Sequence, residues 1–321
     1  MNDHDMSDQH DFRRHGGTAD TAFRWSTIGA SAVVLVVLGA IAATTSKRSW
    51  PALHHMGLDF FTSSRWAVAD KFFGAKAFIY GTVVVSVIAV ALAVPVSIGI
   101  ALFTTQVVPS RWRRPIIYLV DLLAVVPSVV FGLWGVLVFA KHVTGFYGAL
   151  HTVLGPIPLL GNLFGDKGTG RSFMTAGIIL AVMITPIITS LAREVIDTCP
   201  QTDREGAFAL GATRWEMIRG AVLPHAKGGL VGAVMLGLGR AMGETILVAL
   251  VIGSSPNIAA NLFASGDALP AVIANQWGEA DGVYRSALIG LAATLFAITI
   301  AVNLVASTIV NRSIAKTQGA R

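Results

Sequence analysis

Arg240 and Glu244 stand four residues apart in an apolar stretch that runs from about Gly229 to Gly253. On a single helix that spacing puts both on one face, where their side chains can meet. A charge near mid-bilayer costs about 2.5 to 3.5 kcal/mol even on insertion scales, so these residues must face a polar cavity or each other. A guanidinium presents a rigid fork of donors, stays charged at every relevant pH, and fits the oxygens of a tetrahedral anion such as phosphate or sulfate. Glu244 then holds Arg240 when no anion is present, and an arriving anion competes for the arginine. Asp121, in another apolar stretch from Ile116 to Phe139, is a second candidate counter-charge if its helix faces the same cavity. One turn from a cytoplasmic end, it can equally be a boundary residue.

The composition says what must carry these charges. Of 321 residues, 54% are hydrophobic and 13% charged. A soluble domain carries about 25% charged residues, so the missing wetted surface must face lipid. One cysteine, Cys199, excludes an internal disulfide and a cysteine metal cluster. The net charge of +6 is spread thinly, with no Lys/Arg cluster interleaved with aromatics, which argues against a nucleic-acid partner.

Crossing about 30 Å of hydrocarbon takes about 20 apolar residues. Charge-free runs of that kind are Trp25 to Ser46, Ala77 to Ser110, Ser172 to Ala192 and Ser286 to Asn311. With the two stretches that hold Asp121 and the Arg240/Glu244 pair, the expected fold is an all-α integral membrane protein of six transmembrane helices. His142 to Gly165 also lacks charge beyond its two histidines, but its glycines and prolines predict a loop with short interfacial or re-entrant pieces. Most Lys and Arg residues fall in the segments that are inside if both termini are cytoplasmic, with Arg111, Arg113 and Arg114 the densest group. The predicted divisions are a disordered cytoplasmic tail over 1–24, the first helix and an external loop over 25–76, a five-helix transmembrane domain over 77–311, and a cytoplasmic tail over 312–321. Ala40 and Ala42 have the A-x-A form of a cleavage site, but the long acidic region before them predicts a retained anchor.

Three patterns invite over-reading. Gly165 to Ser172 nearly spells a phosphate-cradling loop, with Arg171 where lysine belongs, but no strand precedes it. Gly237 to Gly243 has the wrong glycine spacing for a dinucleotide site and fits close helix packing. His54 and His55 are adjacent, so they do not present two metal ligands on one helical face.

The loop between the fourth and fifth spans, about 199–226, predicts two short helices with apolar faces. Thr202 and Glu205 have capping-box spacing, Gly211 can close the first helix in a left-handed conformation, and Thr213 and Glu216 repeat the cap for a second helix ending near Val222, before Pro224. An apolar helix pair in the cytoplasm invites a protein partner. The run E-G-A-x-x-x-G of Glu205, Gly206, Ala207 and Gly211, with Leu223 and Pro224 downstream, resembles the coupling-loop signature of ABC importer permeases. Asp121 to Gly135 and Gly237 to Gly253 are similar to the corresponding helices of PstC-type permeases of phosphate importers, a likeness extending over about Ile79 to Val310.

The resemblance implies a bacterial plasma-membrane subunit that moves inorganic phosphate inward and catalyses no reaction itself. It implies a second, homologous permease, a dimeric ATPase below that binds ATP and Mg²⁺, an external phosphate-binding protein above, and no cofactor in this chain. Arg240 and Glu244 match the family's charged motif and take its implied place in the translocation path. The alternatives are a permease for another oxyanion, sulfate or molybdate, or a secondary transporter, against which the apolar helix pair and the lack of an inverted repeat argue.

Overall fold

The computed structural model describes residues 18–318 apart from 159 and 167; residues 1–17 and 319–321, and with them the ends of both expected tails, lie outside the described residues. The chain divides into a unit ending at Lys47 and one beginning at Arg48. In the first unit, residues 18–47 belong to helix α1 (Thr18–Met56), with Val33, Leu35 and Val36 exposed. The helix starts within the stretch expected to be a tail, because the residues from Thr18 to Arg24 carry no breaker.

The second unit continues α1 and adds α2 (Asp59–Thr62), a two-stranded antiparallel ribbon of β1 (Trp66–Ala67) and β2 (Phe72–Phe73), and α3 (Lys76–Leu102). Then come α4 (Ser110–Val125), α5 (Ser128–Trp134), α6 (Ala140–Leu154), α7 (Leu160–Leu163) and α8 (Phe173–Asp197). The remainder is α9 (Gln201–Ala209), α10 (Arg214–Met217), α11 (Leu223–Gly243), α12 (Ile246–Val251), α13 (Leu269–Gln276) and α14 (Gly282–Gln318). Helix α14 runs through residues expected as a C-terminal tail.

Among the described residues, six segments are long and apolar enough to span: Asp20–Met56, Lys76–Val107, Ser128–Leu154, Phe173–Asp197, Arg214–Gly243 and Gly282–Val305. The number agrees with the sequence reading, but the third span is shifted. Pro127 breaks the expected helix Ile116–Phe139: the residue before a proline avoids the helical region, and Val126 has ψ 125°. The first part becomes α4, none of whose residues is buried. The second joins a π turn, Gly135–Phe139, and α6, so that His142 to Leu154, expected as loop, is helical. Gly145 and Gly148 are tolerated there because a helix satisfies its own backbone groups whatever its side chains.

Helix α8 is the packing centre. Ile179, Leu180, Ile184 and Ile188 are fully buried against Val85, Ala89 and Ala93 of α3 and Ala233 and Ala241 of α11. Small residues permit this approach. A methyl group on Gly177 would stand 2.4 Å from Ile88, and one on Gly237 would stand 2.6 Å from Ile188. At the expected external end, Phe60, Phe73, Phe78, Leu269, Tyr284 and Leu288 form a second cluster, with the Phe73 and Tyr284 rings stacked 5.6 Å apart. At the opposite end, Ala101, Ile196, Met217, Ile218 and Val222 form a third.

Candidate functional site

Arg240 lies in the last turn of α11, and Glu244 is the residue that ends the helix, with φ −70° and ψ 121°. The expected single helix through Gly253 is therefore two pieces, α11 and α12, joined at Glu244 and Thr245. The pair still meets: Arg240 Nη2 is 4.0 Å from a Glu244 carboxylate oxygen. That is ion-pair contact, too long for a hydrogen bond. The two side chains differ sharply in exposure, 51% for Arg240 and 8% for Glu244.

Arg240 borders an open groove of about 560 Å³ between α8, α11 and α14, lined also by Ile187, Gly232, Met235, Leu236, Gly239 and Asn303. The lining is apolar except for the guanidinium and the Asn303 amide, so an anion entering it meets one fixed cation. Asn303 was not singled out from sequence, although an amide in an otherwise apolar span is a signal of the same kind. Glu244 faces the other way, into a narrow crevice against α3.

Asp121 does not join this pair. Its stretch is α4, and its carboxylate lies 3.9 Å from Arg193 of α8. Arg113 of α4 likewise pairs with Asp197 at the end of α8. Both contacts tie α4 to α8, and Arg193 was missed in the sequence because it sits at the edge of an apolar run. Arg171, the lysine position of the false phosphate loop, donates instead to the Leu250 carbonyl at 2.9 Å. Among the described residues, no group of three His, Cys, Asp or Glu could hold a metal.

The 199–226 loop folds as two helices, α9 and α10. Gly211 adopts φ +84°, and two bonds run back into α9: Ala212 N–H to the Ala207 carbonyl at 3.1 Å and Gly211 N–H to the Phe208 carbonyl at 2.9 Å. These are the two bonds of a Schellman C-cap. Thr213 and Glu216 form the reciprocal capping box. Thr202 does not cap α9; the helix begins at Gln201 after Pro200, and Gln201 donates to Glu205 at 3.0 Å. Nor does the second helix stop before Pro224. A π turn, Ile218–Val222, carries α10 into α11, and its wider winding accommodates a residue that has no N–H to give and would crowd a regular turn.

One side of this helix pair is buried under the bundle, through Met217, Ile218 and Val222. Around it Phe208 and Trp215 remain exposed, and Leu210 is 91% exposed. Arg204 donates to the Ile196 carbonyl of α8 at 2.9 Å, and Arg214 to the Gln106 carbonyl after α3 at 3.1 Å. Glu205 and Gly206 are exposed, Ala207 is half-buried, and Leu223 and Pro224 open α11.

Residues 93–317 match the family model described as the binding-protein-dependent transport system inner membrane component. The chain is similar to the phosphate transport system permease protein PstC of Mesorhizobium japonicum, at 41% identity over 95% of this chain and 94% of that one. It is 38% identical to the PstC of Haemophilus influenzae, over 87% of this chain and 89% of that one. Among solved structures, an inward-facing MetNI methionine ABC transporter chain aligns with TM-score 0.55 and 15% identity, over 74% of this chain and 94% of that one. A chain of a bacterial ABC transporter that imports the acidic polysaccharide alginate aligns with TM-score 0.52 and 16% identity, over 90% and 98%. At those identities the structural likeness speaks to fold alone.

Proposed function

We propose, from the premise that this chain belongs to the binding-protein-dependent inner membrane components and among them to the PstC-type phosphate permeases, that Arg240 is the fixed cation past which inorganic phosphate is moved inward. The chain is a multi-pass plasma-membrane subunit of a phosphate ABC importer. A homologous permease supplies the other wall of the groove, an external binding protein delivers phosphate, and a dimeric ATPase hydrolyses ATP. The exposed apolar residues of α9 and α10 dock that ATPase, while Arg204 and Arg214 connect its movement to α8 and to the end of α3.

The observation that carries the assignment is the half-exposed guanidinium at a helix break beside an open groove. A discontinuous membrane helix is a recurrent way to present polar groups at a transport site. A phosphate oxygen offered to Arg240 replaces a carboxylate held only at 4.0 Å, so the exchange gives up little. An anion held by one such contact can leave as readily as it arrives, which conduction requires.

Arg240→Gln keeps a polar, hydrogen-bonding side chain and removes the charge. Measured as uptake of labelled phosphate by cells carrying the whole importer, it should abolish transport while the protein still reaches the membrane. Uptake at the normal rate would remove Arg240 from the pathway.

A further inference from the structure

The crevice that receives Glu244 is closed by Thr82, Val85 and Ser86 of α3, Ala241 and Met242 of α11, and Val248 of α12, with Ala268 and Pro270 at its side. A carboxylate removed from water needs a hydrogen-bond donor or a cation beside it. Among the described residues, Arg240 at 4.0 Å is its recorded ion-pair partner. Besides Glu244, only Thr82 and Ser86 bring polar side-chain atoms to the crevice.

The Thr82 hydroxyl is already committed, donating to the Phe78 carbonyl at 2.8 Å and accepting from Leu269 N–H at 2.9 Å. Ser86 is 2% exposed, and its Oγ has no hydrogen-bond partner among the described residues. Thr82, Thr104 and Thr294 show the common arrangement for a buried helix hydroxyl, a bond to the carbonyl one turn back, whereas Ser86 shares its lack of a partner with Thr189 of α8, which does not line this crevice. An uncommitted donor in the same closed space as a buried carboxylate has one evident use.

We infer that Ser86 is a positioning residue for Glu244: its hydroxyl donates to the Glu244 carboxylate when Arg240 turns to the anion, and so holds the carboxylate in the crevice. The inference rests on the reading of Arg240 as the anion-handling cation. Glu244 then alternates between two partners, the guanidinium on the groove side and the Ser86 hydroxyl on the α3 side. Without the hydroxyl, freeing the arginine leaves a buried carboxylate unsatisfied, and the ion pair resists opening. Ser86 therefore affects how fast each cycle turns, not how phosphate is captured outside.

The test uses the complete importer, with its second permease, ATPase and external binding protein, in proteoliposomes supplied with ATP and labelled inorganic phosphate. Ser86→Cys keeps the volume and offers only a weak donor. It should lower the maximal rate by about tenfold, as expected for the loss of one hydrogen bond to a charged group, with the half-saturating phosphate concentration unchanged. Ser86→Thr keeps the hydroxyl and should retain most of the rate. A Ser86→Cys importer that turns over like the wild type, or a Ser86→Thr importer as slow as the Cys variant, overturns the inference. Arg240→Gln assayed alongside separates the two levels: normal transport there removes the anion site and Ser86's role with it, whereas loss there with normal Ser86→Cys turnover removes only the role of Ser86.

Discussion

Asp267 is 4% exposed in the connection between α12 and α13, outside the six spans, and burial pushes its carboxyl up to about 6, against which the bond from Ala268 N–H at 2.8 Å pulls only partly. Its unfolded-state value is 3.8. Between those two values the folded chain binds more protons than the unfolded one, so this residue's contribution to stability is fully present below about pH 4 and is lost as pH rises to about 6. Asp267→Asn keeps the acceptor oxygen and removes the titration. It should raise the melting temperature of the detergent-solubilised protein at pH 7.5, by an amount corresponding to at most about 3 kcal/mol, and the advantage should vanish near pH 4. An equal gain at both pH values would show that repacking, not charge burial, sets the effect. At this scale the sequence exposed Arg240 and Glu244 because a charge inside an apolar run is conspicuous. Ser86 and Asn303 were not legible, since serine and asparagine occur in spans for packing and only their neighbours reveal otherwise.

Between residue and bundle, the loop 199–226 works through its two caps. Gly211 at φ +84° turns the chain from α9 to α10, and the left-handed region disfavours a side chain by about 1–2 kcal/mol, more when it is β-branched. No neighbouring atom lies within 4 Å of a methyl group placed there, so the cost of Gly211→Val is conformational. The substitution should swing α9 away from α10 and lower the amount of ATPase that co-purifies with the membrane subunits. Undiminished co-purification would remove the docking role from this loop. Thr213→Ala deletes the side-chain half of the capping box and should weaken the same association less, because an N-cap contributes about 1 kcal/mol. Gly211 and the Thr213 cap were legible because each acts within a few residues of itself. The start of α9 was not, since the helix begins directly after Pro200, two residues before the position that the Thr202 pattern indicated. The break at Pro127 was also visible in principle, but an apolar run long enough to span outweighed a single proline in the reading of Ile116–Phe139.

Across the whole molecule, the alternation of six spans assigns each connection to a side of the membrane. The third span shifted from 116–139 to 128–154, yet the number and order of candidate spans are the same, because α4 is not one of them. The segment 108–127, rich in arginine, and the loop bearing α9 are therefore expected on one side, and the positive-inside bias predicts that this side is the cytoplasm. On that prediction the segment from 244 to 281, with α13, faces outward, the side on which the proposed binding protein approaches. Native Cys199 is 4% exposed and supplies a low background for labelling. Asp203 and Glu279 are both exposed, one in each of these segments. In intact spheroplasts a membrane-impermeant maleimide should modify Glu279→Cys, and should reach Asp203→Cys only after the membrane is opened. The reverse pattern would invert the molecule. It would put α9 and its exposed Leu210 on the side without ATP, and leave the apolar helix pair without the partner that its exposure requires.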